Sequence, residues 1–369
     1  MKSDIENRHN NTINSLPKSR YPFFGSGVIF LINFGIRVLM KDIKLPCKIF
    51  KSHLVDAFFI TPEKLYREFR TIIEKVEQFK NGRIYFVVKR PRSRFKKVKL
   101  RKDGVISFKY EGQSIFSRSH ASPISNFLFG LKSIDKRIYP SPEVLQRKIA
   151  YVEDSNPILR RSNPDENIIY ITPSKGAIDR KNKTLDIKLL PSSLSQFEGK
   201  QINVTLFSHQ LLRETGDSNV KCKICYIGKA NDLKERTDGH KYIQQAQAEC
   251  GDDEEVYVYF FTPKFDALNI NANGTYSVPK DFHNITYEEK VLICEAGLIN
   301  YFKPELNKYH KNSDITKSGT LKKLSANNYT HFVLHCMFDE DDYFFETDIV
   351  KRNGDHKKIY FIKKTNQKN

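Results

Sequence analysis

Between Lys221 and Asn307 the chain gathers residue types that can act on a phosphate ester: Tyr226, Arg236, His240 and Glu295, with Lys229 and Asn307 in the same stretch. A carboxylate can hold a divalent cation, a guanidinium can grip a scissile phosphate, and an imidazole or phenol can move a proton. Whether they meet depends on the elements that carry them.

Thr286 followed three residues later by Glu289 is a capping box, which starts a helix. Val291, Leu292, Leu298, Ile299 and Phe302 recur at helical spacing and form its apolar stripe. Glu295 falls on that stripe, so its carboxylate must be paired, coordinated or neutralised. Lys303-Pro304 ends the helix. Upstream, Val220 to Ile227 reads as a strand ended by Gly228, with Asn231 or Asp232 capping a helix from Leu233. Leu233, Arg236, His240 and Ile243 share one face of that helix, so a guanidinium and an imidazole point inward together. The plainer alternatives are an Asp232–Arg236 surface pair and a Glu295 paired to one of the many lysines.

Tyr226-Ile227-Gly228, an Arg ten residues on, a His four after it, a helical Glu followed by Leu-Ile, then Phe-Lys-Pro and an Asn together resemble the GIY-YIG nuclease family. The resemblance covers about residues 200–310. It implies a small three-stranded sheet with flanking helices, an α/β (α+β) fold, with metal-dependent cleavage of DNA. By that resemblance Tyr226 lines the site, Arg236 and His240 contact phosphate and nucleophile, Glu295 binds one Mg²⁺ or Mn²⁺, and Asn307 supports the site; Lys229, next to Gly228, is read as a further positioning group. The family's first strand carries a tyrosine often cast as general base, whereas Gln201 to Phe207, read here as that strand, has none. Proton transfer then falls to Tyr226, to His240 or to a water on the metal, or the site is degraded. A catalytically inactive nucleic-acid-binding protein and an RNA-cleaving nuclease are the alternative functions.

The 369 residues carry a formal charge of +19, which points to an acidic polymer, DNA or RNA, as partner. The densest positive segment is Lys89, Arg90, Arg92, Arg94, Lys96, Lys97, Lys99, Arg101 and Lys102, read as a hairpin ribbon that tracks a phosphate backbone and turns at Asp103-Gly104. Six scattered cysteines and no signal-peptide pattern suggest a cytoplasmic, nucleoid-associated protein. Cys222 and Cys225, at odd separation in a strand, are expected on opposite faces and not as half of a zinc site. His331 and His335 read as strand residues.

Residues 1–20 read as a disordered tail and 21–152 as a basic mixed α/β domain containing the apolar run Val28 to Met40, too short to span a membrane. A helix opens at Thr61-Pro62, and Arg83 to Val88 is a strand. Residues 153–199 form a linker with short strands, 200–310 the nuclease-like module, and 311–369 a β-rich extension. Within the module Val256 to Phe261 is a central strand, and Thr262 to Thr286 a long loop beside the substrate groove. Double-strand cleavage would suit a homodimer.

Overall fold

Runs of aromatic and β-branched residues supply most of the regular structure, and they pair across long sequence distances. The computed structural model describes residues 45–62, 65–66, 83–111, 119–129, 134–152, 167–179, 184–191, 202–208, 221–230, 241–312, 314–315, 318–338 and 344–362. The strands are β1 (Cys47–Ile60), β2 (Ile84–Pro91), β3 (Arg94–Leu100), β4 (Val105–Glu111), β5 (Ser119–Pro123), β6 (Ile149–Tyr151), β7 (Ile169–Asp179), β8 (Thr184–Pro191), β9 (Ile202–Phe207), β10 (Cys222–Lys229), β11 (Glu254–Ile270), β12 (Tyr276–Ser277), β13 (His331–Met337), β14 (Phe345–Glu346) and β15 (Asp355–Phe361). The helices are α1 (Ser125–Leu128), α2 (Pro142–Arg147), α3 (Lys241–Ala248), α4 (Tyr287–Phe302) and α5 (Gly319–Ala326).

One large mixed sheet, curled into a half-barrel, runs β14-β10-β2-β11-β1-β13-β15, with β12 hydrogen-bonded to β11. The expected small three-stranded sheet with flanking helices is therefore not what forms; the described chain is mostly β, with few helices. The reason is non-local pairing. β1 and β2 align antiparallel with β11, and β2 also pairs with β10, so segments far apart in sequence complete one sheet. The division at 152, 199 and 310 cuts across this sheet. Between Pro91 and Cys222 the chain instead builds two smaller sheets, β3-β4-β5 and β6-β7-β8-β9, which share a core running from Phe95 to Leu206. Entry and exit of this insert meet where Ser93 Oγ lies 2.9 Å from Ser208 Oγ, and Phe207 packs on Phe59 at 4.9 Å between ring centres.

Other expectations change with the partners present. β11 continues to Ile270, so much of the expected loop is strand, held by β1 through the Lys51↔Asp266 and Cys47↔Ile270 positions. The helix expected from Pro142 to Tyr151, capped by Ser141, stops as α2 at Arg147, and Ile149–Tyr151 joins β7 as parallel β6. The tail, the Val28 to Met40 run and residues 67–82 lie outside the described residues. No helix among the described residues is long and apolar enough to cross a membrane.

Helix α4 begins with the expected capping box, with both reciprocal Thr286–Glu289 hydrogen bonds formed, and ends at Lys303 in the left-handed conformation. Its buried side is Val291, Ile293, Cys294, Ala296, Gly297, Leu298, Ile299 and Phe302, whereas Leu292, expected in the stripe, faces solvent. Gly297 lets the helix press onto the sheet, since a Cβ there would sit 2.6 Å from the Phe332 ring. The Tyr360 hydroxyl donates to the Gly297 carbonyl at 2.9 Å, pinning the helix to β15.

On the sheet face away from α4, His53 and His335 are opposite neighbours on β1 and β13. His335 Nε2 lies 2.9 Å from Asp355 Oδ1, and His53 Nδ1 lies 3.6 Å from Asp266. Burial, reinforced by Lys51, pushes the His53 pKa down to about 4 despite Asp266. Burial also lowers His331, His335 and His356. A histidine whose folded pKa is depressed leaves stability intact above the unfolded value, about 6.5, and removes it as pH falls toward the folded value. The urea midpoint is thus expected to be lower at about pH 5 than at about pH 7, with a smaller drop in His53→Gln. An equal drop in the variant would contradict this assignment.

Candidate functional site

The site is built around one end of β10, where four consecutive residues are each held by a different element. Gly228 stands directly opposite Tyr85 on β2, and a Cβ at Gly228 would meet the Tyr85 hydroxyl at 2.5 Å and the Tyr226 ring at 2.8 Å. Glycine is needed here for close approach, not for an unusual backbone angle. The Tyr226 ring stacks on Tyr242 of α3, with centres 4.2 Å apart and planes 16° apart, and its centre lies 6.0 Å from that of the Tyr85 ring. Ile243 and Ala246 bury the same face of α3 against Tyr85, Val87, Val258 and Phe260.

From the opposite side of the sheet α4 delivers Glu295, whose Oε1 accepts the Lys229 backbone N–H at 3.0 Å. The carboxylate is only partly buried. Through that oxygen it is hydrogen-bonded to the strand end, which fixes where it points. Asn307 is 7 % exposed and brackets Ile227: its Oδ1 accepts the Ile227 N–H at 2.9 Å and its Nδ2 donates to the Ile227 carbonyl at 2.8 Å. With Leu306 N–H donating to the Cys225 carbonyl at 2.9 Å, the segment after α4 covers β10 beyond the short β14 pairing. Asn307 is thus a structural clamp on the Tyr226-Ile227-Gly228 run.

Tyr226, Lys229, Glu295 and Asn307 are accordingly brought together. Arg236 and His240, with the cap at Asn231 or Asp232, lie outside the described residues. The residue that sequence reasoning missed is Tyr85. The strand read as the partner of the Tyr226 strand, β9, instead pairs with β8 in the insert. The neighbour of β10 is β2, whose Ile84-Tyr85 follows Gly82 by one intervening residue, Arg83. That near-match was the available signal, hidden by the whole insert between it and Tyr226.

The basic ribbon also divides. Lys89 and Arg90 belong to buried β2, so their expected phosphate contacts are corrected: they serve the interior. Lys89 Nζ lies 3.3 Å from Glu305 and 3.4 Å from Glu249. Burial lowers the Lys89 pKa, but the Cys225 thiol and Glu305 outweigh it and the net shift is upward. Arg90 Nη1 donates to the Tyr259 hydroxyl at 2.8 Å, with its guanidinium 5.0 Å over Tyr257. Arg92 is half-buried at the strand exit, while Arg94, Lys96, Lys97, Lys99, Arg101 and Lys102 are exposed. Arg101 pairs with Asp103 at 2.6 Å across the expected turn, where Gly104 has φ +73°.

Cys222 and Cys225 are both buried, on opposite sides of the strand as expected: Cys222 lies by Arg90 and Cys225 by Lys89 and Glu305, and Lys89 and Arg90 are successive residues of β2. Burial, with Glu305 nearby, pushes the Cys225 thiol up to about 12, the opposite of a thiolate ligand. No group of three or more His, Cys, Asp or Glu among the described residues is placed to hold a metal ion. A lone carboxylate still fits Mg²⁺, which commonly takes one or two carboxylates and completes its shell with waters and substrate phosphate oxygens.

Compared with protein-family models, with curated proteins and with solved structures, the chain matches none.

Asn307→Ala should remove both bonds to Ile227 and lower unfolding stability by about 2 kcal/mol, read from urea denaturation. An unchanged midpoint would show that the clamp contributes nothing.

Proposed function

We propose that this chain is a metal-dependent DNA endonuclease whose site is Tyr85, Tyr226 and Glu295 around the end of β10, with Arg236 and His240 supplied by the segment between Gly228 and α3. The observation that carries this reading is the placement of the Tyr85 hydroxyl on Gly228 beside the Glu295–Lys229 hydrogen bond. It supplies the first-strand tyrosine that the GIY-YIG resemblance requires and that β9 lacks.

The chemistry is hydrolysis: a water oxygen attacks phosphorus, one P–O ester bond breaks, and the departing oxygen takes up a proton. Tyr85 is the group we assign to the water's proton, with Tyr226 beside it orienting the phenol and excluding solvent on the α3 side. Arg236 would bind the equatorial phosphate oxygens as charge builds on them. Glu295 would hold one divalent ion, which when bound supplies positive charge against the phosphate. Its orientation is preset by the Lys229 N–H, so little ordering is left for substrate binding.

With supercoiled plasmid and Mg²⁺ or Mn²⁺, wild type should nick or linearise the DNA. Glu295→Gln and Tyr85→Phe should each slow cleavage by about 100-fold or more. Full activity in both variants would overturn the assignment. Wild-type protein that binds DNA yet cuts neither DNA nor RNA would favour the non-enzymatic binding protein instead.

A further inference from the structure

The sheet β3-β4-β5 has two unlike faces. Phe95, Val98, Leu100, Ile106 and Phe108 point into the core shared with β6 to β9 and are nearly inaccessible. On the outward face Lys97 stands directly opposite Lys109, and Lys99 opposite Ser107. The next strand continues that face with Ser119 beside Lys109 and Ala121 beside Ser107. Between the long lysines these short side chains leave an open groove of about 430 Å³.

Three features of this face point to its occupant. Like charges directly opposite each other destabilise an antiparallel pair unless something anionic lies between them. Lys97 and Lys109 are such a pair, and among the described residues neither they nor Lys99 has a carboxylate partner. Lys97 and Lys99, two apart on one strand, are separated by about 6.7 Å, a row of cations suited to successive phosphates. Finally, the two phenylalanines bordering the groove are buried, Phe95 at 4 % and Phe108 at 2 % exposure, so neither can stack an unpaired base, and the half-buried His120 ring already lies stacked on Phe108 with centres 5.5 Å apart.

We infer that the outward face of β3-β4-β5, through Lys97, Lys99 and Lys109, is a docking surface for the phosphate backbone of duplex DNA. The insert then holds substrate for the site at β10, and only the choice of DNA rests on the proposed nuclease reading. The chain leaves the large sheet at the end of β2, which carries Tyr85, and returns to it at β10, which carries Tyr226. The insert is spliced between the two tyrosine strands, joining them at Pro91 and Cys222, the ends opposite to Tyr85 and Gly228.

Binding is measured by fluorescence anisotropy with a fluorescein-labelled DNA duplex and chelator present, so that cleavage plays no part. The triple variant Lys97→Ala, Lys99→Ala, Lys109→Ala should bind at least about tenfold more weakly near 0.1 M salt, with the slope of log K against log salt shallower by about 2 to 3. The corresponding triple arginine variant should stay within about twofold of wild type. The control triple Lys280→Ala, Lys322→Ala, Lys351→Ala loses the same charge from exposed positions elsewhere and should also stay within about twofold. Equal losses in the alanine and control variants would overturn the inference, as would no loss in either. So would tighter binding of a single-stranded oligonucleotide with the same dependence on the three lysines. Loss of cleavage in Glu295→Gln with binding intact is a separate result, so the docking surface and the catalytic reading can fail independently.

Discussion

The contact on which the site depends is that of the Tyr85 hydroxyl with the bare Cα of Gly228. Any side chain at 228 would collide with the phenol at 2.5 Å, so the register of β2 against β10 and the position of the ring are fixed together. The same contact orders the Tyr226 ring, which stacks on Tyr242 and lies beside Tyr85. Packing density does here what a hydrogen-bond network does elsewhere: it leaves each ring one position, because interiors tolerate neither overlap nor gaps.

Glu295 reaches this point by a different route. Helix α4 is held at its start by the Thr286–Glu289 box, in its middle by the close approach of Gly297 to Phe332, and near its end by Phe302 in the core. Three anchors along sixteen residues leave the helix no freedom to rotate, and the carboxylate emerges where the last backbone N–H of β10 can meet it. Immediately after the helix, Asn307 returns to the same strand one face over. The strand end is therefore gripped by β2, α3, α4 and the segment after α4, which is the rigidity that positioning chemistry requires.

What could be read from residue order was local. The capping box, the end of α4 at Lys303 and the strand leading to Gly228 follow from short-range rules and stand in the structure. Asn307 was singled out as support, and its two bonds to Ile227 give that role a geometry. Tyr85 was not found, because its pairing with Gly228 spans the whole insert and strand partnership has no sequence period. Lys89 and Arg90 were misplaced for a related reason: charge density marked them as surface, but β2 is a central strand whose neighbours offer Glu305 and Tyr259. The fold class failed on the same point, since a sheet assembled from both halves of the chain looks, read in order, like separate domains.

The central claim is that Glu295, oriented by β10, holds a divalent cation next to the two tyrosines. It is tested most directly by electron paramagnetic resonance of free Mn²⁺ during titration with protein and a DNA duplex in which the linkages resist cleavage. The account predicts one bound Mn²⁺ per chain in wild type and its loss in Glu295→Ala. The same uptake by both proteins would contradict it.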